Sequence, residues 1–71
     1  MPPEKLIMMA NQIASFFRAQ GEGAAPSAVA DHLRKFWEPD MRRALVLALQ
    51  TDGARMDPVV VRAAELLKAS S

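Results

Sequence analysis

The residues with the greatest capacity for chemistry lie in one stretch, residues 31–43. It contains the one histidine of the sequence, His32. An imidazole can act as a general base or bind a metal, but the neighbouring carboxylate of Asp31 points to another side of a helix. No second histidine, cysteine or serine forms a recognisable dyad with it. We interpret His32 as a structural or interface residue, and we predict no catalytic, cofactor-binding or metal-ligating residue in this chain.

The same stretch places cations beside aromatic side chains, namely Arg34, Lys35, Arg42 and Arg43 with Phe36 and Trp37. Such a cluster can bind phosphates or single-stranded nucleic acid. A second interpretation is a solvated face with ordinary ion pairs, because carboxylates lie among the bases and both aromatic side chains could belong to the core. A third is docking on an acidic protein surface through arginine–carboxylate pairs.

Composition narrows these choices. The chain has 71 residues, a net charge of +1 and no cysteine, so we expect one domain over residues 1–71 without disulfides or thiolate metal sites. A charge this balanced does not require nucleic acid or an anionic membrane. A core this small is usually supported by a disulfide, a metal or a partner chain, which leaves a partner. The first residues lack a signal-peptide pattern, and we expect a cytoplasmic protein that does not enter a membrane.

The elements that must position these residues are helices. Proline and capping residues predict helices over residues 4–20, 26 to 36 or 37, 39–51 and 58–69, with Asp57 as the N-cap of the fourth. No stretch alternates apolar and polar residues, so we expect no strands. The sequence therefore predicts an all-α fold, a small bundle or array of four short helices.

Each predicted helix has one apolar stripe at helical spacing. The four stripes are Leu6, Met9, Ala10, Ile13, Phe16 and Phe17; Val29, Ala30, Leu33, Phe36 and Trp37; Met41, Ala44, Leu45, Ala48 and Leu49; and Val59, Val60, Ala63, Leu66 and Leu67.

Several apolar residues fall outside these stripes. They are Ile7, Met8, Val46 and Leu47. Single exposed apolar residues are normal on a protein surface, but several together indicate a patch. We predict that these four are buried against another chain, with Arg34, Arg42 and Arg43 fixing the register and His32 or Trp37 at the edge. A homodimer that closes the same patch is an alternative.

Three blocks of the sequence resemble the delta subunit of NAD-dependent, molybdenum-containing formate dehydrogenases. They are MANQIASFF at residues 9–17, VADHLRKFWEP at 29–39 followed by MRRAL at 41–45, and DPVV at 57–60 followed by Ala63, Leu66 and Leu67. The middle block is the most specific. Before the fourth helix the family has a glycine-rich turn and a leucine, where this chain has residues 51–56 with one glycine and Met56.

The resemblance implies an accessory subunit of a cytoplasmic complex that oxidises formate to carbon dioxide and reduces NAD. The large (alpha) subunit of that complex would hold the molybdenum bis-pterin cofactor and iron–sulfur clusters, and other subunits further clusters, FMN and the NAD site. The delta subunit is expected to stabilise the large subunit or assist its cofactor loading. The alternative is a small helical nucleic-acid-binding or regulatory module that uses the basic cluster from Arg34 to Arg43.

Overall fold

Four α-helices build the protein in a computed structural model, which describes residues 2–70. They are α1 (Pro3–Gln20), α2 (Ala25–Phe36), α3 (Pro39–Asp52) and α4 (Pro58–Ser70), with a 3-10 turn at Gly53–Arg55 between α3 and α4. No strand occurs within residues 2–70. The predicted all-α class and the four predicted helices are confirmed, and the 3-10 turn is an addition that sequence reasoning missed.

Proline and capping interactions set the helix boundaries. Proline stands in the first turn of α1, α2 and α3, where its missing N–H removes no helical hydrogen bond. Glu38 has extended dihedrals before Pro39, as the clash with the proline ring requires. At the start of α4, the backbone N–H of Val59 donates to Oδ1 of Asp57 at 2.9 Å. The predicted N-cap is therefore confirmed.

The segment before α4 departs from the glycine-rich pattern expected of the family, but it needs no unusual backbone. Gly53 has φ −55° and ψ −32°, a conformation open to any residue. The N–H of Met56 donates to the carbonyl of Gly53 at 3.1 Å and closes the turn. The Met56 side chain is buried, so methionine fills the position where the family pattern has leucine.

All four helices contribute to one core, in which α2 packs most extensively against α4 and α1, and α3 packs against α4. Its largest fully buried side chains are Leu6, Leu33, Leu45, Val29 and Val60. Buried alanines, among them Ala10, Ala14 and Ala63, contribute little volume, which lets helix backbones approach closely. None of the described helices is long and apolar enough to cross a membrane.

The core differs from the predicted stripes at four large side chains. Ile7 is only 4% exposed, so its predicted position outside the core is wrong. Phe16, Phe36 and Leu66, which were assigned to the core, are 60%, 72% and 40% exposed. The cause in α1 is its contact with α2, α3 and α4 together. That contact rotates the buried face toward Ile7 and Ala14 and turns Phe16 outward.

Candidate protein-docking surface

A continuous run of rings crosses from α1 to α2 on the outside of the molecule. The ring centroids of Phe16 and Phe17 are 5.2 Å apart, those of Phe17 and His32 5.9 Å, and those of His32 and Phe36 4.7 Å. Phe17 and His32 are half-buried, whereas Phe16 and Phe36 are mainly exposed. We call these four residues the aromatic surface. The first two contacts are edge-to-face and the third is tilted, and these arrangements pack the rings against one another while Phe16 and Phe36 stay mainly uncovered.

An apolar depression adjoins the aromatic surface at the α1–α2 loop, and Phe17 belongs to both. Its lining is Phe17, Gln20, Gly21, Ala24, Ala25 and Ala28. We call it the alanine socket. No charged residue lines it, and a side chain entering it would contact alanine methyl groups and one aromatic ring, with the Gln20 side chain and Gly21 also in the lining. Rings beside a depression of small residues are suited to accepting an apolar side chain of another protein.

The cations of the basic cluster are largely engaged within the chain. Arg34 pairs with Asp31 at 3.0 Å and also donates to the carbonyl of Leu66 at 3.5 Å. Arg43 pairs with Asp40 at 3.0 Å, three residues earlier on α3. These pairs match the interpretation as a solvated face, and at such exposure each contributes between zero and about 1 kcal/mol.

Arg42 closes the C-terminal end of α2, where the last carbonyls of a helix lack partners. Its Nη1 donates to the carbonyls of Leu33 and Arg34, each at 3.3 Å, and to the carbonyl of Trp37. This role was not predicted, because the sequence gives no sign that an arginine on α3 reaches the end of α2. Arg42 therefore stabilises the α2–α3 junction, and its guanidinium is largely committed there.

A second polar contact fixes α1 against the start of α4. Asn11 donates from Nδ2 to the carbonyl of Arg55 at 3.1 Å and accepts from the N–H of Asp57 at 2.9 Å. Arg18, two helical turns further along α1, pairs with Oδ1 of Asp57. The three side chains of Asn11, Arg18 and Asp57 form what we call the α1–α4 lock. It orients α1, and with it the side of α1 that carries Phe16.

The predicted partner-binding residues fall into separate places. Ile7 and Trp37 lie in the core, so little of either side chain is left uncovered for the predicted contact with a partner. Met8 and Leu47 are exposed, as predicted, on α1 and α3.

Two depressions on α3 contain the other predicted residues. Arg42, Arg43 and the half-buried Val46 share one of them with Pro39. Leu47 lines another, whose other lining residues are Pro3, Ala44, Ala48, Thr51 and Asp52.

Sequence reasoning placed Phe16 and Phe36 in the core, although one signal could have corrected it. Both are followed directly by a second aromatic residue, in Phe16–Phe17 and Phe36–Trp37. Consecutive residues on an α-helix point about 100° apart, so both members of such a pair rarely face the same narrow core. One ring of each pair therefore had to lie at or beyond the edge of the core.

The described residues offer no ligand set for a metal ion or an iron–sulfur cluster. Within residues 2–70, no three histidine, aspartate or glutamate side chains lie together so that they could hold a metal ion. Iron–sulfur clusters require thiolate ligands, and the sequence has no cysteine. What the geometry offers is a small helical protein with uncovered rings beside an apolar socket, the features of a protein that binds another protein.

A comparison with known families identifies the particular class. Residues 5–64 match the delta subunit, FdsD, of NADH-dependent formate dehydrogenase. The match covers most of the chain, and the protein belongs to this family as a subunit of a formate dehydrogenase complex. No curated protein and no solved structure matched in the parallel comparisons.

Proposed function

We propose that this chain is a non-catalytic accessory subunit that binds the large subunit of a cytoplasmic, NAD-dependent formate dehydrogenase and stabilises it or assists its cofactor loading. The observation that carries the proposal is the set of uncovered apolar side chains on a member of a subunit family. Met8, Phe16, Phe36 and Leu47 are each at least 60% exposed. Apolar area of this kind in a short chain indicates a surface that a partner covers.

The chemistry of the complex would come from other subunits. The molybdenum bis-pterin cofactor, the iron–sulfur clusters, FMN and NAD would be held there. The delta subunit would act on the folded state of the large subunit, because a partner that binds only the folded form shifts its folding equilibrium. Cofactor loading would improve by the same route if the loaded conformation binds the delta subunit more tightly.

The predicted arginine contacts need one revision within this proposal. Arg42 caps α2, so replacing it would disturb the fold as well as any interface. Arg43 is exposed, and among the described residues its ion pair is with Asp40, so it is the better candidate for register on an acidic partner surface. The nucleic-acid alternative loses support, because Arg34, Arg42 and Arg43 all bind groups of their own chain.

The test is co-expression of the large subunit with and without this chain. A tag on this chain detects co-purification, and a tag on the large subunit allows its metal content and activity to be compared between the two preparations. We expect the large subunit to co-purify, and its metal content and formate oxidation to fall when this chain is omitted. If the chain purifies alone and its omission changes neither quantity, the proposal is wrong. Binding to single-stranded DNA that weakens steeply with salt would instead support the nucleic-acid module.

A further inference from the structure

The exposed side of α1 is uncharged over three helical turns. Its exposed residues between Lys5 and Arg18 are Met8, Gln12, Ser15 and Phe16, and Ala19 extends this side beyond Arg18. At 1.5 Å per residue they extend over about 16 Å. A helix side that faces water normally carries charge. A charged group placed against this side would find no partner on α1, so its occupant must be uncharged over the same length.

The backbone on this face limits the shape of the occupant. Residues 3–20 and 25–36 are α-helical, so their N–H and C=O groups bond within the helices and offer no strand edge. An extended segment could not form main-chain hydrogen bonds here and would be left with unpaired polar groups. A helix satisfies its own backbone and can place an apolar stripe along α1 with one side chain in the alanine socket.

The border of the surface supplies the charge that would orient such a helix. Lys35 directly precedes Phe36 and is exposed, and its ammonium has no ion pair within residues 2–70. The other neighbouring cation, Arg18, is bound to Asp57 in the α1–α4 lock. A carboxylate on the occupant would therefore form an ion pair with the Lys35 ammonium at one end of the surface.

From these features we infer that the aromatic surface, the alanine socket and the uncharged side of α1 together bind one amphipathic helix of another subunit of the complex. The helix presents about three turns of uncharged, apolar side chains, inserts one of them into the socket and places a carboxylate beside Lys35. This inference rests on the proposed function and specifies the contact surface. That surface shares Met8 and His32 with the predicted one but does not include Val46 and Leu47 on α3.

The experiment uses the tagged full chain co-expressed with the rest of the complex. Phe16→Ala and Phe36→Ala should each weaken retention of the complex at least tenfold, because central aromatic residues dominate interface affinity. The double variant should lose retention almost completely. Lys35→Glu should accelerate dissociation severalfold at low salt, with the difference from wild type shrinking as salt screens the charge. Leu66→Ala on α4, an exposed apolar residue outside this surface, is the matched control and should behave as wild type.

The outcomes separate this inference from the function on which it rests. If the wild-type chain retains no other subunit, both the inference and the proposed function are wrong. If wild type is retained and the Phe16 and Phe36 variants are retained equally well, the surface is wrong while the proposed function stands. Loss with Leu47→Ala alone would place the contact on α3. A dimer of the isolated chain in light scattering that Phe36→Ala dissociates would assign the surface to a second copy and overturn the inference.

Photocrosslinking gives a readout that does not depend on the folding of these variants. A benzophenone amino acid at Gln12, in the middle of the uncharged side of α1, should crosslink to another subunit of the co-expressed complex. The same group at Arg62, which is exposed on α4, should crosslink at background level. Equal crosslinking from both positions, or crosslinking from position 62 alone, contradicts the inference.

Discussion

The two sides of α2 carry similar large side chains, but those on one side are buried and those on the other lie at the surface. On the inner side Val29 and Leu33 are fully buried. On the outer side, the rings of His32 and Phe36 contact each other at the surface. Phe36 is exposed there, although the next residue, Trp37, is buried. The inner side holds the helices together, whereas Phe36 on the outer side is mainly uncovered, and we propose that a partner covers it. Apolar character alone therefore does not mark a residue as core.

Polar side chains divide in the same way. Arg42 joins the successive helices α2 and α3, and the α1–α4 lock joins two helices that are distant in sequence. Arg43 pairs only with a carboxylate three residues away on α3 among the contacts of the described residues, whereas Arg34 makes such a pair on α2 and also reaches the Leu66 carbonyl on α4. A contact between helices fixes tertiary structure, whereas a contact within one exposed turn changes stability little. Each contrast can be tested with a pair of similar substitutions, one at a residue that joins helices and one at an exposed residue. The free energies of unfolding should then separate the residues that stabilise the fold from those that lie on a surface.

The largest effect should come from the inner side of α2. Leu33→Ala removes a fully buried side chain and leaves a cavity between helices, so we expect a loss of roughly 2–5 kcal/mol in the free energy of unfolding. For a chain of this length the total is about 4–10 kcal/mol, so the variant should lose a large share of its stability and unfold at a much lower urea concentration than the wild type. Urea denaturation followed by circular dichroism measures this. An unchanged midpoint would contradict the assignment of Leu33 to the core.

The second-largest loss of stability should come from replacing Arg42. Arg42→Ala leaves carbonyls at the end of α2 without a charged donor, and we expect a loss of about 1–3 kcal/mol. Arg43→Ala is the matched control on the next position of α3. It should change the free energy of unfolding by less than about 1 kcal/mol, because an exposed ion pair contributes little. Equal losses in the two variants would show that the hydrogen bonds from Arg42 to the end of α2 stabilise the fold no more than the exposed ion pair of Arg43 does.

The start of α4 should be next in size. Asp57→Ala removes both the N-cap and the ion pair with Arg18, and we expect a loss of about 1–2 kcal/mol. Asp40→Ala, at an exposed carboxylate in the first turn of α3, is the control and should cost less. Hydrogen exchange would localise the effect: the first amides of α4 should lose protection in the Asp57 variant and keep it in the Asp40 variant.

The smallest change in stability should come from the outer side of α2. Phe36→Ala removes a side chain that is 72% exposed and substitutes the best helix former, so we expect a change within about 0.5 kcal/mol. Thermal unfolding by calorimetry would measure it. A loss comparable to that of Leu33→Ala would mean that Phe36 belongs to the core, and the contrast between the two sides of α2 would disappear.

Much of the fold could be predicted because its signals are local. Proline and Asp57 mark helix starts through their own dihedrals and hydrogen bonds. The predicted boundaries therefore lie within one residue of the observed ones, and they coincide at the end of α1 and at the starts of α3 and α4. Single-sequence periodicity located the core face only approximately. It misassigned Ile7, Phe16 and Phe36 because neighbours from three helices determine how far a helix is rotated about its axis.

The candidate site was less predictable for the same reason. Met8 and Leu47 were correctly placed on the surface by their helical phase, but the aromatic surface requires α1 and α2 to bring Phe17 and His32 into contact. Arg42 was assigned to a partner because its own sequence neighbourhood looks basic, whereas its guanidinium reaches carbonyls at the end of another helix. Contacts between residues on different helices depend on packing angles that no local pattern specifies.

The sequence by itself determined the helical class, the helix boundaries, the absence of cysteine and the family to which the chain belongs, since each depends on local chemistry or on residue identity. Only the tertiary structure decided which apolar residues are covered, which cations are already engaged and where an uncovered surface remains. The physical reason is that burial and pairing depend on distances between helices, which are set by the packing of the whole core rather than by any one segment.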